Sequence, residues 1–459
     1  MSPVARPRRV VVVGAGIAGL YAAWLLTGRG ADVVVVEAAD RIGGQVHTVD
    51  FGGRRVDLGA EAVHLGAPGI GALLARIGLA DGQIASGPGR TLVGRDVPLR
   101  RLPAGVGPAG PTRLGPFVRS GILGPAGLVR AAAEPWLARR QRVDRDVSVR
   151  EFVAGRFGEQ VADRLVDPLL GGLHSGDIGR LSLAAATPQL ATMARSGRSI
   201  TLSRKARRAA PSGTPAAFVT WADGMSTLPA TLAAGLPEVR VGVAATGVRR
   251  VGDGYVVSVD GGEQLAGDAV VLAVPSSAAA RLLADLAPQA ANALAGQRFA
   301  SVATVAAAFP REAVRGIPAL EGTGILLSSQ SSRVLKAATF LSTKWPQLRD
   351  ADDYLLRMSA GRAGSTIAED LDDDALVRAM LSDLRELTGF AGEPNAVVVQ
   401  RWPSTMPQLE VGHLDRLARA RTALAGCPGV VLAGASYDGV GIASALRSAA
   451  AAVDAIPTA

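Results

Sequence analysis

Residues 9–26 read RVVVVGAGIAGLYAAWLL and residues 31–37 read ADVVVVE. The β-branched run Arg9 to Val13 has the character of a strand buried on both faces of a parallel sheet. Three glycines follow, then an Ala/Leu-rich stretch predicted to be helical from Ile17 to Thr27, then a second strand ending at Glu37. Strand, helix and strand make a βαβ unit. Each glycine has its own task in such a unit. Gly14 permits the tight turn, Gly16 lets backbone approach a pyrophosphate, and Gly19 lets the helix lie close on the strand. Free N–H groups at the helix start, around Ile17 and Ala18, suit phosphate oxygens. Glu37, followed by Ala38, stands where a carboxylate accepts hydrogen bonds from ribose hydroxyls. A lone G-x-G-x-x-G carries little information, but this full context predicts a dinucleotide site.

Working outward, the totals bound the rest. With 459 residues the chain is too long for one compact core, so two or three domains are expected. Hydrophobic residues make up 48% but aromatics only 4%, so the core is built mainly of Ala, Val and Leu. No run of about 18 uninterrupted apolar residues suggests a spanning helix. The N-terminus passes directly into a strand, which leaves no room for a signal peptide. One cysteine, Cys427, excludes an internal disulfide, and a cytoplasmic protein is expected. The net charge is +9 and the basic runs Leu99–Pro103, Leu137–Arg145 and Ser203–Pro211 read first as a solvated arginine-rich face. Contact with an anionic membrane surface or an acidic small molecule is the second reading. Nucleic acid is disfavoured, because no aromatic stacking set accompanies the charge. His47, His64, His174 and His413 lack metal-ligand spacing, so no metal is expected.

The coarse pattern is helical from Gly127 to Leu190 and from Asp372 to Leu387. It alternates strands with Gly–Asp turns from Val239, is strand-rich from Ser301 to Arg362, and ends in strand, loop and helix. That ending, VVLAGASYDGVGIASALRSAAAAV (residues 430–453), is a second glycine loop. It raises the question of whether the protein holds two nucleotides or one cofactor gripped from both chain ends.

After Glu37 comes AADRIGGQVHT, and E-x-x-D-R-x-G-G in this position resembles the amine oxidase superfamily of FAD enzymes. DPLLGGLHSGDIGRLSLAAATPQL (167–190), STKWPQ (342–347) with RMSAGRAG (357–364), and QRWPSTMPQLEVGHLDRLARAR (400–421) resemble its porphyrinogen oxidases. The likeness is closest to the bacterial type that forms coproporphyrin III from coproporphyrinogen III, with protoporphyrinogen oxidase the near neighbour. The resemblance implies an α/β fold with a discontinuous Rossmann-like FAD-binding domain (1–85, 215–290 and 400–459). It further implies a helical insertion (86–214) and a strand-rich α+β substrate domain (291–399).

One FAD gripped from both ends is implied, since no second complete motif with its own acid appears. Arg41 would reach the pyrophosphate, and Gly43 and Gly44 would pass close to the isoalloxazine. Val248 would meet adenine. Gly434, Ala435, Val440, Gly441 and Ile442 would line the flavin and its phosphate. Trp402 would stand beside the flavin and the substrate. Arg90, with a guanidinium suited to carboxylates, and Leu409 would contact substrate. The flavin carries the chemistry, with no catalytic side chain expected, and dioxygen as acceptor giving hydrogen peroxide. The stretch Ser301–Phe309 lacks the lysine that amine oxidases usually place near the flavin.

The chain also departs from the family pattern. Gly66–Ala67 stands where a basic pair is usual, Leu409 where an aromatic is usual, and Ala222–Asp223 near a motif usually richer in glycine. A second reading therefore stays open, a flavin oxidase or desaturase of the same fold acting on another small molecule such as a secondary-metabolite intermediate.

Overall fold

The computed structural model describes residues 8–103, 106–107, 110–111, 114–140, 142–206 and 218–457. The expected boundary at 214/215 and residues 207–211 of the basic run lie outside the described residues. Five strands form a sheet in the spatial order Glu238–Val241, Asp32–Glu37, Arg9–Val13, Ala269–Leu272, Val430–Leu432. Every pairing in it is parallel, with Val10 opposite Val33 on one side and Ala269 on the other. Later strands thus add to both sides of Arg9–Val13. The chain reverses its direction of growth there, and in open α/β sheets ligands bind beyond the strand ends at that switch point.

Alternation along the strands explains why consecutive valines are all buried. Val10, Val12, Val33 and Val35 face the helices Ile17–Thr27, Thr227–Ala234 and Ile442–Asp454. Val11, Val13, Val34 and Val36 face the opposite layer. That layer contains the antiparallel strands Ala245–Val251, Gly254–Val259 and Gln264–Gly267 and the helices Ser276–Leu282, Pro288–Ala295 and His413–Leu424.

A second sheet has seven strands in the order Ala396–Pro407, Phe299–Pro310, Asp353–Ala360, Leu335–Thr339, Gly324–Leu327, Thr91–Gly94, Arg100–Arg101. One face packs on the helix Asp373–Thr388 through Val305, Phe309, Leu356 and Met358. The other meets Phe51, Val56, Leu58 and Trp345 through Ala306, Ala308 and Leu355. Two boundaries differ from the expected ones. Residues 399 and 400 both lie inside the strand Ala396–Pro407, whose register with Phe299–Pro310 runs through them. Strand pairing there carries the second sheet past the expected border. The segment after residue 86 also contributes the last two strands of this sheet, because Thr91–Gly94 pairs in parallel with Gly324–Leu327 and antiparallel with Arg100–Arg101.

The helices after Leu114 enclose their own core of Phe117, Phe152, Phe157, Leu165, Leu170 and Leu183. Arg156 and Glu134, both fully buried, form an ion pair within it, and Glu134 also accepts the backbone N–H groups of Ile200 and Thr201. Residues Ala162–Gly171 form a π-helix with Pro168 inside. Proline lacks an N–H and crowds the carbonyl four residues earlier, which accounts for the widened turn. No helix of the described residues is long and apolar enough to cross a membrane.

Candidate cofactor and active site

The first glycine loop separates glycines that the protein itself requires from one it does not. Gly14 has φ +104°, and a Cβ there would lie 2.6 Å from the Ala273 carbonyl oxygen. A Cβ on Gly19 would lie 1.9 Å from the Gly14 carbonyl oxygen, so helix and strand touch through backbone. A Cβ on Gly16 would meet no atom of the chain within 4 Å. Nothing in the fold asks for glycine there, whereas close approach of a ligand to the backbone does. No side chain caps the helix Ile17–Thr27, so its first N–H groups stay available to phosphate. These features fit a dinucleotide pyrophosphate.

Glu37 ends its strand beside this loop. Its Oε2 accepts from the N–H of Ala15 at 2.7 Å and its Oε1 from that of Ala39 at 2.9 Å. Two N–H bonds fix the carboxylate and leave further lone pairs for ribose hydroxyls; Ala38 lies exposed between them. Gly43 donates to the Ala15 carbonyl at 2.8 Å and pairs with Gly16 in an isolated bridge, so the second loop docks on the first. Arg41 closes that loop by donating to the carbonyls of Ile42, Gly44 and Val46. Its guanidinium also lies 5.7 Å from the centre of the Trp402 ring, and His47 meets that ring edge-on at 6.4 Å. Gln45 donates to the Thr405 carbonyl at 2.5 Å. The strand carrying Trp402 is thereby bound to the glycine loops from the second sheet.

The C-terminal loop arrives at the same place. Gly434, at φ +121°, lies where an added Cβ would be 3.6 Å from the Ala18 Cβ, and its N–H donates to Ser448 Oγ at 2.8 Å. Ser448 in turn donates to Asp438 at 2.5 Å. Ala435 begins the short helix Ala435–Asp438. Val440 and Gly441 lead to Ile442, the first residue of the helix Ile442–Asp454, which no side chain caps. Gly441 has φ +101° and, like Gly16, no chain atom near an added Cβ. Two uncapped helix starts and two glycine loops therefore converge from opposite chain ends.

Other expected residues lie at varying removes from that point. Val248 is buried and pairs with Val257 in the layer behind the central sheet. Leu409 is buried, and its carbonyl accepts from the N–H of Ser182 in the helical region. Arg90 is exposed at the head of the strand Thr91–Gly94 and contributes its carbonyl to Thr323.

Sequence reasoning passed over a buried polar belt between the glycine loops and the second sheet. Glu61 accepts from Lys344 at 2.8 Å, Arg357 at 2.7 Å and the Trp345 indole at 2.7 Å. Burial pushes its carboxyl up, but the two cations outweigh burial and hold it at about 2. Asp57 Oδ1 accepts from Thr48 Oγ1 at 2.5 Å and Met225 N at 3.0 Å, yet burial wins there and raises it to about 6. Arg357 also donates to the carbonyls of Asp57 and Gly59 at 2.9 and 2.8 Å. The one available signal was VDLGAE, whose two acids at a spacing of four interrupt an otherwise apolar stretch.

Residues 17–457 match the family model for flavin containing amine oxidoreductases. The chain is therefore an FAD-dependent oxidoreductase. It is 33% identical to the coproporphyrinogen III oxidase of Bacillus subtilis (strain 168), over 97% of each chain. It is 35% identical to that of Mycobacterium tuberculosis (strain ATCC 25618 / H37Rv), over 98% of this chain and 97% of the relative. A crystal structure from Exiguobacterium sp. 255-15 superposes with a TM-score of 0.85 at 27% identity, covering 98% of this chain and 99% of that one. The chain belongs to the flavin containing amine oxidoreductase family, in its porphyrinogen oxidase branch.

Proposed function

We propose that the protein oxidises coproporphyrinogen III to coproporphyrin III, removing six electrons in three rounds and passing them to three dioxygen molecules to give three hydrogen peroxide. The observation that carries this reading is the likeness to coproporphyrinogen III oxidases along nearly the whole chain. The presence of one dinucleotide motif with its own acid supports an oxidase over an enzyme that needs a second nucleotide. FAD, when bound, supplies the two-electron acceptor. Segments 1–85, 215–290 and the chain after Pro407 would hold it, with the seven-stranded sheet forming most of the substrate side and the helices after Leu114 covering it.

In this reading Glu37 orients the ribose, Gly16 and Gly441 admit the pyrophosphate, and the starts of both helices neutralise its charge. Arg41 keeps the Gly43–Gly44 loop in shape, and Trp402 gives the flavin an aromatic flank. Arg357 holds the Asp57–Gly59 backbone rigid beside it. Catalysis is then chiefly positioning within a dry pocket.

The test mixes the purified yellow protein in air with coproporphyrinogen III or protoporphyrinogen IX. Porphyrin fluorescence is followed against a no-enzyme control, and peroxide is counted. Fast porphyrin formation with coproporphyrinogen III and three peroxides per porphyrin is expected. A flavin-loaded protein that leaves both porphyrinogens to spontaneous oxidation would sink this reading. It would favour the second, a flavin oxidase of another small molecule, to which Gly66–Ala67 and the exposed Arg90 already incline.

A further inference from the structure

Only three of the chain's 49 basic residues are lysines, at 205, 336 and 344. Lys344 has its acid in Glu61. Lys336 has none among the described residues. It lies on the strand Leu335–Thr339, where strict alternation would bury only one of Leu335 and Lys336. A register shift between Leu335 and Ala337 against Asp353–Ala360 breaks the alternation, and both side chains are inside, at 0% and 6% exposure. Such bulges re-aim a side chain, often next to active sites.

The ammonium so placed is under-used. Its hydrogen bond goes to Ser175 Oγ at 2.6 Å, leaving two of three donors over. Ser175 itself sits at φ +49°, a left-handed conformation uncommon outside glycine and found preferentially at functional sites. The charges that act most on Lys336 are those of the cations Arg362 and Arg357, and Ala363, next to Arg362, donates its N–H to the Ser175 carbonyl at 2.7 Å. Arg362 gives Nη2 to the Leu327 carbonyl at 3.2 Å, while its buried Nη1 has no partner. His174, next to Ser175, is buried with Nδ1 unpartnered, and burial holds it neutral by lowering its pKa to about 4. The acids beyond them are engaged. Asp167 accepts from Ser328 and Ser329, and Glu61 is held by Lys344, Arg357 and Trp345. Buried charge normally comes with its counter-charge; here Lys336 has no acid of its own among the described residues, and Asp167, the acid that acts on Arg362, is taken up by Ser328 and Ser329.

We infer that Lys336 and Arg362 bind one carboxylate group of the substrate, one oxygen on the Lys336 ammonium and the other on Arg362 Nη1. The substrate class rests on the porphyrinogen reading. The location is independent of it, since the strand Leu335–Thr339 pairs with Asp353–Ala360, whose Arg357 donates to the Asp57 and Gly59 carbonyls beside the glycine loops. Lysine is the informative choice in a chain otherwise so committed to arginine, because it alone can lose its proton in such a place. Burial first, then Arg362 and Arg357, lower its pKa to about 7. Carboxylate binding needs the charged form, so affinity declines as pH rises through about 7.

The experiment uses the FAD-loaded full chain. Coproporphyrin III and its tetramethyl ester are titrated by fluorescence, and coproporphyrinogen III kinetics are measured from pH 6 to 9. The wild type is expected to prefer the free acid and to show KM rising above pH 7. Lys336→Met is expected to raise KM roughly 10- to 100-fold, the loss of a charge-assisted contact, with kcat within about twofold and the pH dependence gone. Lys336→Arg is expected to keep affinity at pH 9. Equal affinity for acid and ester, or an unchanged KM–pH profile in Lys336→Met, overturns the inference. If the wild type does not oxidise coproporphyrinogen III, the proposed function falls instead. The acid-over-ester preference and its loss in Lys336→Met then decide this site alone.

Discussion

Gly16 and Gly19 are chemically identical and three positions apart, yet the structure assigns them opposite obligations. Gly19→Ala drives a Cβ into the Gly14 carbonyl, an overpacking of backbone that costs on the order of 3 kcal/mol. That variant is expected to melt earlier even without flavin. Gly16→Ala meets nothing, so its flavin-free form is expected to melt with the wild type while FAD retention is lost. Differential scanning with and without FAD separates the two, and a destabilised flavin-free Gly16→Ala would contradict the assignment. Asp57 gives a second residue-scale test. Its folded-state pKa of about 6 lies above the ordinary 3.8, so between those values the folded protein holds more protons than the unfolded chain. Stability from this group therefore falls as pH rises through about 4 to 6, by up to about 3 kcal/mol. Asp57→Asn retains an Oδ1 acceptor for Thr48 and Met225. It is expected to flatten the melting temperature against pH in that window and to equal or exceed wild type at pH 7.5. Parallel pH profiles for the two proteins would refute it. Glu61 works in a lower window, contributing above pH 4.5 and losing its contribution as pH falls toward 2.

At the scale of elements, the glycine loops and the strands they follow were legible because their function is written into local geometry. Turn, close approach and helix start each demand a residue type at a set spacing. The polar belt was not legible, because Asp57, Glu61, Lys344 and Arg357 come from distant segments and become a unit only when packed. Lys336 was hidden for a further reason. A lysine in VLKAAT reads as solvent-facing by alternation, and only the irregular pairing with Asp353–Ala360 turns it inward. The C-terminal loop offers a test at this scale. Ser448 accepts from the Gly434 N–H and anchors the loop to its own following helix. Ser448→Ala leaves that N–H without its acceptor, and an unsatisfied buried donor costs about 1–3 kcal/mol. FAD affinity is expected to weaken about tenfold, read from recovery of free-flavin fluorescence on dilution; an unchanged Kd would show the loop to be held some other way.

Across the whole molecule, the sequence disclosed the kinds of layers better than their borders. The parallel sheet, its two covering layers and a separate strand-rich body follow from the order of patterns along the chain. The border near residue 400 was obscured because strand alternation continues through VVVQRW while the chain is still pairing with Phe299–Pro310. The meeting of the two glycine loops, proposed above as two grips on one cofactor, also orders events in time. Gly14 and Gly434 lie 420 positions apart (434 − 14), and synthesis proceeds at about 5–20 residues per second, or roughly 20–80 seconds between the two loops. While the polypeptide is still emerging from the ribosome, its N-terminal half-site must wait without its lid. With the C-terminal loop as the proposed second grip, flavin capture is expected among the last acts of biogenesis, and a nascent chain stalled before Val430 is expected to leave the ribosome colourless.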